Sequence, residues 1–457
     1  MTVPVSPSTD RLEALDYHGA LAALAARGRF GIRLGLGRTR ALLRELGDPQ
    51  LAVRGALVAG TNGKGSVLAL AGSALRAAGL RVGETPKPHL VTYRERIAID
   101  GRPIGASDFT RHVQAVLAVA DKVARRHGEP TEFELLTAVV FRHFAEADLD
   151  VALVEVGLGG RLDATHAWDG GVAVVTNVDL DHMDRLGPTI AAIAREKAAI
   201  IERGDVAVTG ATGEALEIVR RRARRMAAPL TVVDPAPILG LDRDGLEVEL
   251  AGLGRTRVGL RGRHQAANVA VADAMLDALA DAGIAAADAD ARRRGYATAV
   301  WPGRLELLEL GEGRQVLLDG AHNPAGATAL AQALEDLRPH LDPGPLTLVV
   351  ASMADKDVDG VVAAMSGAAA VRGATIIATS VDAPRAMPAA ELAERWRRIA
   401  GPAAVTAIPD PIEALEAALA RPGTTVVAGS LYLVGAIRAH LVDDPELHDP
   451  DPGAPAR

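Results

Sequence analysis

A chain of 457 residues has room for two or three domains, each burying its own core. A hydrophobic share of 49% against 24% charged residues is that of a globular protein, no apolar run approaches the ~20 residues of a membrane span, and residues 1–7 lack the basic-then-apolar pattern of a leader. Zero cysteines exclude disulfides, thiolate metal centres and a cysteine nucleophile, and a net charge of −8 argues against a general nucleic-acid partner, so a cytoplasmic enzyme is expected.

Residues 10–27 have helical spacing in Leu12, Leu15, Leu21 and Leu24, and a second helix with Leu42, Leu43 and Leu46 ends at Gly47-Asp-Pro49. Ala56-Leu-Val-Ala59 reads as a buried strand, 60–66 as a glycine-rich turn, 67–75 as a helix and Leu80-Arg-Val82 as the next strand. The stretch 83–96, with Pro86, Pro88 and His89, reads as a loop passing near that turn. A short strand and turn follow at 97–103, then helices at 108–126 and 134–147. Buried strands at 151–154 and 172–176 end on Glu155 and on an acidic loop holding Asp179, Asp181 and His182. Helix 189–201 carries Lys197, and strand–helix–strand repeats through Val206 and Val232. Alternating residues and glycines at 239–260 suggest antiparallel strands, followed by a helix at 265–282. Trp301-Pro-Gly-Arg-Leu305 marks a linker, after which strands at 316–318, 346–350, 375–379 and 426–428 alternate with helices. Such alternation predicts parallel sheets covered on both faces, hence two α/β domains joined near residue 300. The tail from Asp443, rich in Asp and Pro, is expected to be disordered.

Four groups fall at the C-terminal ends of predicted strands, where open α/β sheets bind ligands. Gly60-Thr-Asn-Gly-Lys-Gly-Ser66 points backbone N–H groups and a helix N-terminus at one spot suited to a polyphosphate, with Lys64 as a mobile charge and Ser66 as a hydroxyl for Mg²⁺. Its spacing departs from the usual Walker pattern, because Gly65 separates Lys64 from Ser66. A lysine on a helix N-terminus is unfavourable unless an anion compensates it, which argues against an empty turn. Glu155 either holds Mg²⁺ or caps the glycine turn after it, and His182 is a metal ligand or polar surface. Asp319-Gly-Ala-His-Asn-Pro324 opens the second domain and could face the phosphate loop across a cleft. Of 50 basic residues only Lys64, Lys87, Lys122, Lys197 and Lys356 are lysines, so those that remain suggest a need for an amine, with Lys122 as the bystander. Lys197 is open to two readings, a solvated lysine or an amine that takes up CO₂ as a carbamate.

Gly60 to Ser66, Glu155-Val-Gly-Leu-Gly-Gly-Arg-Leu-Asp-Ala-Thr165, Asp181-His182, Arg195-Glu-Lys-Ala198, Gly262-Arg-His-Gln-Ala-Ala-Asn268, Trp301-Pro-Gly-Arg304 and Asp319 to Pro324 occur in this order. Together they resemble the folylpolyglutamate synthase/dihydrofolate synthase branch of the Mur ligase superfamily, over nearly the whole chain. The resemblance implies an N-terminal P-loop ATPase-like domain (1–297), with a parallel sheet plus a small antiparallel sheet, a C-terminal Rossmann-like α/β domain (298–442), and a disordered tail (443–457). It implies that Gly60, Thr61, Asn62, Gly63, Lys64, Gly65 and Ser66 bind ATP with Asn268, Arg304 and Asp319, and that His322 lies near glutamate or nucleotide. Glu155, His182, Ser66 and a carbamylated Lys197 would hold Mg²⁺, two ions in all, with a monovalent cation as a further expectation. The pterin would lie against Leu34, Gly35, Leu36, Thr131, Phe133, Glu134, Leu162, Asp163, Ala164 and Thr165. Lys64, Lys197, Asp319 and His322 would be the catalytic set. The implied reaction activates a folate or dihydropteroate carboxylate with ATP as an acyl phosphate, which L-glutamate then attacks, the domains closing about 292–303. Rival readings are a Mur-type peptidoglycan ligase and a P-loop NTPase or nucleotide-binding protein without ligase activity. A monomer is expected, with no nucleic acid or membrane partner. One departure stands out: Pro86-Lys-Pro-His-Leu90 puts Lys87 where the family has a Mg²⁺-binding serine, and a swing of Lys87 toward the ATP phosphates is the favoured reading. His166 stands where asparagine is usual.

Overall fold

The computed structural model describes residues 15–28, 31, 33–311, 313–400 and 404–452. Among them three sheets form. The first holds β1 (Gly55–Ala59), β2 (Val82–Thr85), β3 (Ala98–Ile99), β4 (Arg102–Pro103), β5 (Val151–Glu155), β6 (Gly171–Val175), β7 (Val206–Thr209) and β8 (Leu230–Val232) in the order β4-β3-β2-β5-β1-β6-β7-β8. Its body is parallel, and the short β3 and β4 close one edge antiparallel. Side chains alternate along each strand, so both faces need cover. Leu57, Ala59, Ala152, Val154, Ala173 and Val175 pack with α1 (Tyr17–Gly28), α2 (Gly37–Glu45), α4 (Ala106–His127) and α5 (Glu132–Glu146). Ala56, Val58, Val151, Leu153, Val172 and Val174 pack on the other side with α3 (Lys64–Ala77) and α9 (Gln265–Asp281). Between those helices in sequence run α6 (Met183–Leu186), α7 (Ile190–Ala198) and α8 (Gly213–Met226). The second sheet is the expected antiparallel one, β9 (Ile238–Asp242), β10 (Gly245–Leu250) and β11 (Gly254–Val258), whose Leu246, Val248 and Val258 join the α3–α9 core.

The third sheet follows the order β12-β13-β17-β14-β15-β16, with β12 (Glu306–Glu309), β13 (Gln315–Leu318), β14 (Thr347–Val350), β15 (Thr375–Ala378), β16 (Val405–Ala407) and β17 (Thr425–Ala428). Only β12 is antiparallel. One face carries α11 (Pro324–Leu337), α12 (Val358–Ser366) and α13 (Ala389–Ala400), and the other α14 (Pro411–Leu419) and α15 (Leu431–Leu441).

Four expectations change. The first expected helix begins on residues outside the described set, and the described helix runs from Tyr17 to Gly28. The strand expected to end at Val82 runs to Thr85, because Val82 to Thr85 pairs with Val151 to Val154. The 292–303 stretch, expected to be where the domains close, begins inside α10 (Ala289–Thr298), a regular helix packed along α3. The tail is ordered as far as Pro452. Arg94 donates to the Glu446 and His448 carbonyls (2.8 and 2.9 Å) and to the Asp449 carboxylate (3.1 Å), and Thr92 Oγ1 donates to Asp449 at 2.6 Å. A buried guanidinium needs those acceptors, so it holds an acidic segment that composition alone marks as loose. Residues 453–457 lie outside the described set.

Candidate active site

The phosphate loop is built where β1 stops. Thr61 N–H donates to the Asn177 carbonyl (3.0 Å), Asn62 N–H to Asn177 Oδ1 (2.8 Å), and Thr176 Oγ1 to the Asn62 carbonyl (2.7 Å), so the end of β6 holds the turn open. Gly63 caps α3 at φ +82°, with no side chain bonded to the helix's first N–H groups. A Cβ at Gly63 would strike Asn268, and one at Gly65 would strike the Trp301 ring, so only glycine keeps this approach open. Free N–H groups at a helix start favour an anion. Lys64 Nζ curls back to the Gly60 and Thr61 carbonyls (2.9 and 3.1 Å), and Lys197 Nζ donates to the Gly60 carbonyl from α7 (2.8 Å). Two amines therefore share one short loop. Burial lowers the Lys197 amine to about 7, assisted by the Lys64 charge, so a neutral amine is accessible near pH 7.

Glu155 ends β5 beside Val58 of β1 and is buried, which raises its carboxyl above the ordinary range while Lys64 and Lys87 oppose the shift. Its N–H donates to Thr85 Oγ1 (3.0 Å), and its Oε2 accepts from the Lys87 N–H (3.1 Å). The Lys87 ammonium donates to the Glu155 carbonyl and sits 4.8 Å from the centre of the Phe133 ring. In this structure Lys87 is bonded to Glu155 and is not turned toward the phosphate loop. Burial brings its amine down to about 8, against the pull of Asp163 and Glu155.

One cavity of about 880 Å³ collects most of the expected site. Thr61 to Ser66, Lys87, Glu155 and His182 line one wall, and Trp301, Arg304, His322 and Asn323 the other. Leu34, Gly35, Thr131, Phe133, Glu134, Leu162, Asp163 and Ala164 line its far end. Several of these hold the wall up. Glu134 accepts from Arg38 Nε (3.0 and 2.9 Å) and from Thr131 N–H (2.8 Å) in a capping box for α5. Asp163 accepts from Leu158 N–H (2.8 Å) and from Thr165 Oγ1 (2.6 Å), fixing the glycine turn, and Thr165 is buried behind it. Leu36 serves as the cap residue of α2 and does not line the cavity. Lys197 and Gly60 line a small adjoining pocket with His182 and Asp181. Asn268 lies against Gly63 and donates to Gln265 (2.8 Å).

Asp319 stands under the second wall. Its carboxylate accepts from Leu305 N–H and Ala321 N–H, both at 2.9 Å, and thereby ties the linker to the end of β13. Burial raises its carboxyl, with Arg304 opposing. Burial lowers the His322 imidazole below its ordinary value, with the Gly320 carbonyl, 2.8 Å from Nδ1, opposing. His166, the milder departure, lies buried with Nδ1 3.2 Å from the Arg161 carbonyl. Lys122, the expected bystander, lies on the surface paired with Glu45 at 2.6 Å.

The donors suit a hard divalent ion: a Ser66 hydroxyl, a Glu155 carboxylate and a His182 imidazole face one cavity. No three His, Cys, Asp or Glu side chains gather into a cage among the described residues. The sequence reading overlooked Arg33, Arg96, Asn323 and Arg385 as cavity-lining groups. Arg96 carried a signal in its neighbours, since Nε donates to His89 Nδ1 (2.8 Å) and the guanidinium lies 4.6 Å from the Tyr93 ring centre. Arg385 comes from an irregular stretch after β15 with no local signature.

A phosphate loop in one α/β unit facing a strand-end acid and histidine in another is the arrangement of a Mur-type ligase. The Mur ligase middle domain matches residues 58–276, and the Mur ligase glutamate ligase domain matches residues 303–431. The dihydrofolate synthase/folylpolyglutamate synthase of Bacillus subtilis (strain 168) is 34% identical over 435 residues, 93% of this chain and 99% of that relative. The structure of Mycobacterium tuberculosis folylpolyglutamate synthase complexed with ADP and AMPPCP is similar at a TM-score of 0.82 and 34% identity, over 94% of this chain and 100% of that one. A bifunctional folylpolyglutamate synthase/dihydrofolate synthase with Mn, AMPPNP and L-glutamate bound gives a TM-score of 0.76 at 30% identity, over 95% and 100%. The chain belongs to the dihydrofolate synthase/folylpolyglutamate synthase family.

Proposed function

We propose that this protein is an ATP-dependent carboxylate–amine ligase that joins L-glutamate to the carboxylate of a folate or dihydropteroate through an acyl phosphate. The observation that carries this reading is the single cavity walled by the phosphate loop, by Phe133 with Leu162 to Ala164, and by Arg304 with His322. Phosphates rest on the α3 N-terminus, where Lys64 needs only to turn from its own loop carbonyls to meet them. The pterin end takes the apolar wall of Leu34, Phe133, Leu162 and Ala164, and Thr131, Glu134, Asp163 and Thr165 keep that wall in place. Arg304 and His322 supply charge and a hydrogen bond from the second domain, which we take to begin at residue 298. Mg²⁺ accompanying the nucleotide, held by Ser66, Glu155 and His182, would supply charge neutralisation for phosphoryl transfer. A carbamate on Lys197 would add an anion beside His182 and Lys64. Closure about 299–305 excludes water from an acyl phosphate that water would hydrolyse. The Mn-, AMPPNP- and L-glutamate-bound relative supports nucleotide, divalent metal and glutamate as ligands.

Lys64→Ala is the test of the phosphate wall: ligation is abolished in a chain that still folds. Turnover near wild type would remove the phosphate-loop assignment.

A further inference from the structure

Arg94 is 6% exposed, and its guanidinium is held by segments of both domains. Nη1 donates to the Ile104 carbonyl of its own domain (3.1 Å). Nη2 donates to the Glu446 and His448 carbonyls (2.8 and 2.9 Å) and Nε to the Asp449 carboxylate (3.1 Å), all on the segment that leaves α15 of the other domain. Thr92 Oγ1 donates to the same carboxylate at 2.6 Å, and the Pro450 carbonyl lies 2.6 Å from His18 Nε2 on α1. A buried guanidinium stripped of its acceptors is costly, so this clasp is more than a loose surface contact. The stretch carrying Thr92 and Arg94 is itself stiff, because Glu95 accepts from the Leu90, Val91 and Thr92 N–H groups (3.1, 2.7 and 2.7 Å). It is gripped a second time at Leu90. A Cβ at Gly435 of α15 would strike the Leu90 carbonyl, and the Leu90 and Val434 side chains both lie against Gly303 of the linker. From that contact α15 runs on to Leu441, about 9 Å of helix, before the chain crosses to the clasp. The five residues 442–446 span at most about 18 Å.

We propose that residues 442–450 are a strap that ties the second domain to the first and limits how far the cleft opens, with Arg94 as its anchor. This rests on reading the cavity as a cleft that closes about 299–305. A domain joined to its neighbour only through the linker explores wide angles, and a second attachment beyond the end of α15 holds it near the closed arrangement. A binding-competent state that is populated only in part weakens apparent affinity in proportion, so the strapped chain takes its substrates more tightly than an unstrapped one. The strap also bears on the 86–96 stretch, which carries Lys87, Pro88 and Arg96 into the cavity lining.

The chain has no cysteine, so spin labels go cleanly onto Arg125→Cys in α4 and Glu416→Cys in α14, both exposed. Pulsed electron resonance then reads the distance between the domains with and without AMPPNP. Three chains are compared: the full chain, one ending at Val442, and one with a flexible Gly/Ser insert of about twelve residues between Val442 and Asp443. The insert adds roughly 20 Å of reach and keeps every clasp contact. Without nucleotide the full chain should give one narrow distribution, and the truncated and insert chains should both broaden. Their KM for the pterin substrate should rise about three- to tenfold, with kcat changed by less than about twofold. An insert chain as narrow as the full chain overturns the strap, because only its reach has changed, and this comparison decides even where the truncated chain fails to fold. A full chain already as broad as the insert chain overturns it too. Distributions that ignore AMPPNP in all three chains overturn the closure reading beneath, a failure separate from the difference between chains measured without nucleotide.

Discussion

Glu134→Ala distinguishes a wall residue from a substrate ligand. The Glu134 side chain is 3% exposed and that of Arg38 is 17% exposed, with both Glu134 oxygens accepting from Arg38 Nε at 3.0 and 2.9 Å. The same carboxylate takes Thr131 N–H at 2.8 Å and the Thr131 hydroxyl at 3.2 Å, completing the α5 capping box. Removing one partner of a buried ion pair costs about 3–5 kcal/mol, because the other charge is left uncompensated. A lost cap bond contributes about 1 kcal/mol. Arg38 keeps the Arg33 carbonyl at 2.7 Å and some solvent, which offsets part of this. The expected destabilisation is about 3–4 kcal/mol. Glu134→Gln keeps the shape and one acceptor and should lose roughly half as much. Urea unfolding reports the midpoint, and the KM for the pterin substrate, taken well below the transition, should move by less than about threefold, below the tenfold that 1.4 kcal/mol represents. An unchanged midpoint with binding weakened tenfold or more would refute the structural role and make Glu134 a ligand.

Lys197→Ala should lose most ligase activity, and a small carboxylate or added bicarbonate should restore part of it; full activity without either removes the carbamate. Asp205 supplies a pH prediction away from the cleft. It is 2% exposed, its Oδ1 is buried without a donor, and burial raises its carboxyl to about 7 from 3.8, with Asp169 adding to the rise. A folded-state pKa above the unfolded one contributes stability that is full below pH 3.8 and lost as pH rises through 7. Asp205→Asn should therefore raise the unfolding free energy at pH 8 by about 1–2 kcal/mol, well under the ceiling of about 4 kcal/mol that a rise from 3.8 to about 7 sets at roughly 1.4 kcal/mol per pH unit. The gain should vanish by pH 4, and a gain constant across that range contradicts the cause.

Strands buried on both faces were legible because their apolar runs are continuous, as in Val151 to Val154 and Val426 to Ala428. Edge strands were not. β12 begins and ends on glutamate, and β16 has three residues, neither fully buried, so neither stands out from a loop. The tail misled for a tertiary reason: its acids look unstructured until Arg94, far away in sequence, supplies the cation that gathers them. The phosphate cradle was readable because glycine spacing encodes backbone geometry directly. Lys87 was visible as a departure, yet its partner was not, since the bond to Glu155 depends on β2 lying beside β5. In the same way, sequence could group Thr131, Glu134, Asp163 and Thr165 with the pterin end. Only the bonds they make to Arg38, Leu158 and one another show them holding the wall.

Phosphate release from ATP, measured with and without dihydropteroate or tetrahydrofolate and with and without L-glutamate, tests the central claim most directly. The account predicts release that depends strictly on a pterin carboxylate and glutamate together, with a glutamylated product in equal amount. Release that ignores both substrates would contradict it.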